Sequence, residues 1–507
     1  MRVYGKAGGD PSYGSQFGMA KCHFRLAPKF KQPAATNSTM SDHLAKKQVD
    51  PTDERLDLRK PLPTVEYLHA QGQAMRERVP RELHGQWRPD EKREDILSII
   101  KRSNAGRQKR LIPLRMERMA ASPFAFLRGA VAVMAHDLFP TPTIGFNVVL
   151  AGDAHLGNFG LYGSPQREVV FDLNDFDETV IGPWEWDLKR LTASVNVAGR
   201  ENGLSARERR AAVMQAVLGY QKNMTRLETI GTLDIWYRHA IPGRANILRR
   251  VPAKAQAVIE KVVAKAMQSD NHSLLSKVAV KDAAGHWQFR EDPPILTPVK
   301  SSEKENLITA LEQYSLTLSR ERRYMLSRYR VADVAHRVVG IGSVGTRAYL
   351  ALLMGKHDND PLLLQIKEAL VPAHAPYLPL RQAKFKHEGQ RVVIGQRALQ
   401  ASSDVMLGWT EMQGRPYYVR QMKNLKASVP IEWLTGDAFN FYCWACGALL
   451  ARAHARTSEG ATIAGYCGVS KPLRDSFADW AESYGDQTEA DHARLRASLK
   501  RRHRDTS

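Results

Sequence analysis

Residues 152–160 read Gly152-Asp153-Ala154-His155-Leu156-Gly157-Asn158-Phe159-Gly160, directly after the apolar run IGFNVVLA (144–151). An aspartate and an asparagine five positions apart, just past a strand, suit a phosphoryl-transfer loop. The aspartate accepts the proton of an attacking hydroxyl, and the asparagine turns back to hold magnesium. Asp153 is therefore the expected base and Asn158 an expected metal ligand. His155, inside the same loop, is expected to brace the backbone.

Seventeen residues beyond Asn158, the strand-like run REVVFDLNDFD ends in Asn174-Asp175-Phe176-Asp177-Glu178. Magnesium keeps waters and phosphate oxygens and asks the protein for only one or two carboxylates. Asp175 stands where such a ligand belongs, with Asp172 as the alternative and Asp177 expected on a second ion. Asp and Asn also cap turns without doing chemistry. Acids and an asparagine gathered at two strand ends exceed what turns require.

The complementary half of such a site is a glycine turn over the phosphates and a lysine on a neighbouring strand. Gly340-Ile341-Gly342-Ser343-Val344-Gly345 supplies GxGxxG. Dinucleotide folds use the same spacing, but there a helix must follow. Here the strand-like TRAYLALLM follows, so Gly340, Gly342 and Gly345 are expected to let backbone N–H groups approach phosphate. Leu364-Gln365-Ile366-Lys367 then offers Lys367 as a phosphate contact, with Glu388 as its expected partner acid. Glu368, adjacent on the strand, should face the other way. The segment RPYYVRQMKN is expected to form the strand and hinge against which adenine lies.

The loop, the acidic DFD segment and Gly182-Pro183-Trp184-Glu185-Trp186-Asp187-Leu188 together resemble the aminoglycoside phosphotransferase and choline kinase branch of the protein kinase superfamily. GDAHLGNFG, FDLNDFDET and GPWEWDLKRL are similar to the phrases of an uncharacterised bacterial family, domain of unknown function 2252, over most of the chain. The resemblance implies a kinase-like fold, ATP and magnesium, and makes Asp187 the buried acid that ties the loop to its supporting helix. It carries over no substrate.

In ordinary kinases the glycine turn and lysine precede the catalytic loop. Here they follow it. The expected fold is thus α+β and bilobal, protein-kinase-like and circularly permuted, which is tolerable when termini lie close together at the surface. Either FAFLRGAVAVMAHDLF or the late helix ending LLARAHA could be the helix that runs into the loop. The expected organisation is a flexible tail (1–60), a helical catalytic lobe (61–330), a β-rich nucleotide lobe (331–430) and C-terminal helices returning to the catalytic lobe (431–507). Within these, SEKENLITALEQYSLTLSRERRYMLSRY reads as one long helix, and the chain closes on a charged tail.

A chain of 507 residues with 43% hydrophobic and 25% charged residues is ordinary for a globular protein. No apolar run approaches the ~18 residues of a membrane span, and the N-terminus lacks a signal-like core, so a cytoplasmic location is expected. Four cysteines are too few for a disulfide framework. Cys443 and Cys446 form a CxxC inside an apolar helix, where packing explains them. The net charge of +21 favours polyanions, but the basic residues are scattered and not interleaved with aromatics. Nucleic-acid binding is therefore expected only as a nonspecific property. The expected activity is phosphoryl transfer from ATP to a hydroxyl of a small molecule or protein. AMP transfer on the same fold and a nucleotide-binding pseudoenzyme scaffold are the alternatives.

Overall fold

The structure is a computed structural model, and it describes residues 58–242, 251–338, 340–379, 385–422 and 425–506. The expected tail falls almost wholly outside the described residues, as do Lys423 and Asn424 of the expected hinge.

Short helices open the described chain, among them α1 (Pro123–Gly129), which Ser122 caps by accepting from the Ala125 N–H. Four strands follow: β1 (Asn147–Leu150), β2 (Phe159–Gly163), β3 (Val169–Leu173) and β4 (Val180–Pro183). β1 pairs antiparallel with β4, and β2 with β3. The loops leaving β1 and β3 therefore lie side by side. Gly152 allows this: its φ is 76°, and a Cβ there would fall 2.0 Å from the Glu178 carbonyl oxygen. Next come α2 (Trp184–Glu201), buried along nearly its whole length, α3 (Ala206–Leu227), opened by a Ser205–Glu208 capping box, and α4 (Ala253–Met267).

The late part is β-rich. A hairpin, β5 (Ala279–Lys281) and β6 (Trp287–Phe289), precedes β7 (Leu296–Pro298), β8 (Arg330–Arg337), β9 (Ala348–Met354) and β10 (Pro361–Glu368). Helix α5 (Glu388–Leu399), β11 (Gly408–Met412) and β12 (Arg415–Gln421) complete it. Six of these strands form one sheet in the order β11-β12-β10-β9-β8-β7. β9 reads as a continuous apolar run because both of its faces are covered. Tyr349, Ala351 and Leu353 meet Leu307, Leu311 and Tyr314 of the helix Ser301–Ser315, while Leu350 and Leu352 meet Leu274, Leu275 and Phe289.

The chain then returns to its beginning. β13 (Ala427–Ser428) pairs with β2, and α6 (Gly436–Ala455) lies along α3. Glycines set that approach: a Cβ at Gly447 would fall 1.9 Å from the Ala216 carbonyl oxygen, and one at Gly219 would fall 2.1 Å from that of Trp444. α7 (Lys471–Thr506) closes the described chain.

The chain is α+β. The structure differs from the sequence reading in several places. The expected tail after Cys467 is the 36-residue helix α7, whose Phe477, Trp480 and Tyr484 are buried beneath its charged face. The long charged helix is two, Ser301–Ser315 and Arg320–Leu326. The break comes where the Thr317 hydroxyl turns back onto the Tyr314 carbonyl, 2.7 Å, and also reaches that of Trp409, 3.2 Å. The strand before the glycine turn is RVADVAHR. Because β7 and the helix Ser301–Ser315 pack with the sheet, the β-rich part begins before residue 300 rather than at 331. Cys443 and Cys446 are buried in α6 and unbonded, and burial raises both thiols well above their ordinary range. Among the described residues no helix is long and apolar enough to cross a membrane.

Gly447→Val should force α6 off α3 and cost about 3 kcal/mol of stability in urea unfolding. Gly340→Ala, where a Cβ meets nothing within 4 Å, should stay within about 0.5 kcal/mol of the parent.

Candidate active site

Asp187, on the first turn of α2, accepts from the backbone N–H groups of Ala151 (2.7 Å) and Gly152 (3.0 Å). It also meets His454 Nε2 at 3.2 Å, and the other ring nitrogen of that histidine meets the Tyr220 hydroxyl at 2.8 Å. The loop that follows β1 is thus tied to α2, α3 and α6 through one buried carboxylate. Asp153 emerges from this anchor, and its Oδ1 accepts two bonds from Arg190, at 2.9 Å and 2.6 Å. Its Oδ2 stands 3.7 Å from His155 Nε2. Burial, with the charges of Arg128 and Arg190, pushes His155 well below its ordinary pKa, so the ring is neutral. Asn158 donates its side-chain N–H to the Asp153 carbonyl at 2.8 Å, which closes the loop on itself and leaves the amide oxygen as its acceptor.

One cleft of about 510 Å³ is bordered by Asp153, His155, Asn158 and Asp175 on one side, and by Gly340, Gly342 and Lys367 on the other. Residues nearly two hundred positions apart therefore share one space. The Asp175 Oδ1 is buried there without a hydrogen-bond partner among the described residues. An uncompensated buried carboxylate oxygen asks for a cation or donor. Beside an asparagine amide oxygen, that donor set fits magnesium, which takes oxygen ligands and few of them from protein. Among the described residues no three His, Cys, Asp or Glu side chains group together as a metal cage.

The glycines divide by role. Gly345 has a φ of 92° and packs on Arg107, so its backbone requires glycine. Around it, Arg107 donates to the Val344 carbonyl (2.7 Å) and the Gln108 N–H to that of Gly345 (2.7 Å). Gly340 has an ordinary φ and empty space where its Cβ would be, and at Gly342 a Cβ would only graze the Arg128 carbonyl at 3.7 Å. Neither conformation nor packing demands glycine at those two positions. What they provide is clearance over the cleft.

Lys367 lies on β10, and its ammonium pairs with Asp177 Oδ2. Tyr418 donates to Asp177 Oδ1 at 2.7 Å and Ser343 to Oδ2 at 3.3 Å. Burial works to raise Asp177, but Lys367 and these hydrogen bonds outweigh it and hold the carboxyl below its usual range. Burial likewise opposes the Lys367 charge, and Asp177 more than restores it. The lysine's partner is thus Asp177 and not Glu388, whose carboxylate is taken by Arg391 one helical turn away. With both oxygens engaged, Asp177 is committed to this cluster rather than left for a second ion. Arg391 itself donates to the carbonyls of Asp177 (2.9 Å), Thr179 (2.6 Å) and Leu370 (2.7 Å), so α5 clamps the acidic loop with a cation. Glu368 faces the opposite side of the strand from Lys367 and pairs with Arg347 and Arg415. Asp172 is buried against Arg452 and stands outside the cleft, so it is no substitute for Asp175.

Arg190, Arg391 and Tyr418 did not emerge from the sequence. Arg190 had a usable signal: it lies three residues after Asp187, on the same helix face. The other two are defined only by contacts between distant segments. Glu178, between Asp177 and Thr179, accepts from the Ala373 N–H at 2.6 Å. Burial first, and the Asp153 charge as well, raise its carboxyl to about 7 against the opposing Ala373 hydrogen bond. A separate apolar cavity of about 340 Å³ lies between α3, α4 and α6 and contains none of the expected site residues.

The sequence model of an uncharacterised protein family conserved in bacteria, domain of unknown function 2252, matches residues 107–498, and the chain belongs to that family. No curated protein and no solved structure matches.

Because Glu178 holds its proton more firmly folded than unfolded, the stability this provides is present in acid and lost as pH rises through about 7. Glu178→Gln should therefore raise the Tm at pH 8, and the gain should shrink as pH falls toward 4.5. Thermal unfolding across that range checks it.

Proposed function

We propose that this member of the bacterial family is an ATP- and magnesium-dependent phosphotransferase acting on a hydroxyl, on a bilobal, circularly permuted kinase-like fold. The observation that carries the reading is the shared cleft, with Asp153, Asn158 and Asp175 facing Gly340, Gly342 and Lys367. Element order supports it too. A glycine turn joins neighbouring strands β8 and β9, a lysine stands on the next strand, β10, and helix α5 follows, as in kinases. Permutation is supported at the other end. Just past α6, the Thr457 hydroxyl oxygen accepts from the Val149 N–H at 3.3 Å, beside the strand that leads into Asp153. The late helix therefore abuts the catalytic loop in space though it follows it by three hundred residues.

In this reading Asp153 receives the acceptor's proton on Oδ2, because Arg190 occupies and orients Oδ1. Phosphoryl transfer asks little of its base, since its transition state is loose and most of the catalysis is positioning and charge neutralisation. Asn158 and Asp175 would hold magnesium, which when bound neutralises charge on the phosphates. Gly340 and Gly342 leave their N–H groups accessible, and Lys367 brings a cation kept charged by Asp177. Phosphates entering the cleft share Lys367 with Asp177, which Tyr418 and Ser343 hold in place.

That same ion pair, with the glycine turn pinned by Arg107 and Gln108, favours a second reading in which the chain binds nucleotide as a scaffold without turnover. Transfer of AMP uses the same residues and is separated by the intact mass of the product.

Asp175→Ala should abolish the magnesium-dependent rise in Tm with ATP or ADP. Asp153→Asn should keep that rise and lower ATP turnover about 100-fold or more, assayed against fractionated cell extract. Nucleotide binding with no turnover in any fraction favours the scaffold, and a wild type that shows no magnesium-dependent shift overturns both readings.

A further inference from the structure

A second cavity, of about 780 Å³, touches the catalytic loop at Gly157 and shares Arg128 and Ser428 with the cleft. No glycine-turn residue lines it. One wall is α4, and another is the segment from Ser428 to Trp433. α4 is firmly seated, since Val262 and Ala266 are buried against Leu161, Val169 and Leu425. Its Lys261 and Lys265, one turn apart on the same face, border the cavity. Lys261 Nζ lies over the exposed Trp433 ring, 5.1 Å from its centre. Where the two cavities meet stands Arg128, whose Nε is buried without a hydrogen-bond partner among the described residues. Of the acids on the lining, Glu201 already accepts from the Phe124 N–H at 2.6 Å, and Glu432 remains. Three cations converge here on a space next to the catalytic loop.

We infer that this cavity is the acceptor site of the phosphotransferase reading, on which the inference rests, and that it selects a small phosphate ester bearing a free hydroxyl. Arg128, Lys261 and Lys265 hold the ester's existing phosphate, and Trp433 covers the molecule's body. The hydroxyl oxygen then forms a bond to the γ-phosphorus of ATP while the bond from that phosphorus to the β–γ bridging oxygen breaks. ADP leaves with the bond's electron pair, and the hydroxyl proton passes to Asp153 Oδ2. Cations at the junction offset the repulsion between two phosphorylated reactants, which in a water-poor site is otherwise large. The volume falls in the range of small-molecule sites. A lone tryptophan gives no run of platforms for stacked bases, so the net positive charge does not turn this cavity into a nucleic-acid groove.

The test uses the full chain saturated with magnesium and a non-hydrolysable ATP analogue, titrated with inorganic phosphate and followed by Tm. Phosphate should raise the Tm further, and more strongly than acetate at equal concentration. Lys261→Gln with Lys265→Gln, both exposed, should weaken the phosphate response about tenfold and leave the nucleotide shift unchanged. Arg128→Gln, at the boundary with the cleft, should weaken the phosphate response as well. No phosphate response, a response unaltered by the lysine pair, or a preference for acetate each overturns the inference. So does an Arg128→Gln chain that loses the nucleotide shift while the lysine pair changes nothing, since Arg128 would then serve the nucleotide. The titration is repeated without nucleotide. A chain that answers phosphate through the lysines yet ignores magnesium–nucleotide overturns the phosphotransferase reading while the anion site stands.

Discussion

A single buried carboxylate, that of Asp187, joins the parts of this molecule that lie furthest apart in sequence. It satisfies two backbone N–H groups of the loop after β1, which would otherwise be costly buried donors. Through His454 and Tyr220 it also reaches α6 and α3. The geometry of Asp153 follows from that anchor, because the loop cannot shift without breaking both backbone bonds to Asp187 and leaving buried donors unsatisfied. Arg190, on the same helix, then fixes the Asp153 side chain. One helix therefore holds both the backbone of the loop and the Asp153 side chain.

The two halves of the cleft meet through a second ion pair. Lys367 from the sheet is buried and Asp177 from the acidic loop partly so, and the buried ammonium is tolerable only with that carboxylate beside it. Around them, Arg391 ties α5 to the carbonyls of Asp177 and Thr179, so a cation on the helix clamps the acidic loop. The result is a cleft whose lysine is held in place by the fold itself. Its position depends on the sheet docking against the loop, not on either segment alone. The neighbouring cavity extends the same economy of charge, with Arg128 at the boundary and lysines on a helix that the apolar core fixes.

Much of this was legible in the residues themselves. The strand before GDAHLGN, the one leading into NDFDE and the glycine turn ahead of a strand all follow from period, turn chemistry and spacing. α7 was not legible, because its mean hydropathy is low and its buried Phe477, Trp480 and Tyr484 are diluted among charges. The break at residues 316–319 was hidden for a different reason. The Thr317 hydroxyl is drawn there to the backbone of Trp409, on a strand ninety residues later, as well as back onto the Tyr314 carbonyl.

The amino-acid sequence alone determined the chemical inventory: an aspartate and asparagine at loop spacing, acids at the end of the next strand, glycines where a backbone must clear a ligand, and a lysine on a strand. Such features depend on neighbours a few residues apart, and local sterics and hydrogen bonding enforce them. Only the tertiary structure decided which carboxylate meets Lys367, which cation orients Asp153 and which helix end abuts the catalytic loop. Those pairings span up to three hundred residues, and they arise from how whole elements dock. No local pattern encodes which of several nearby acids will keep a buried oxygen without a hydrogen-bond partner among the described residues.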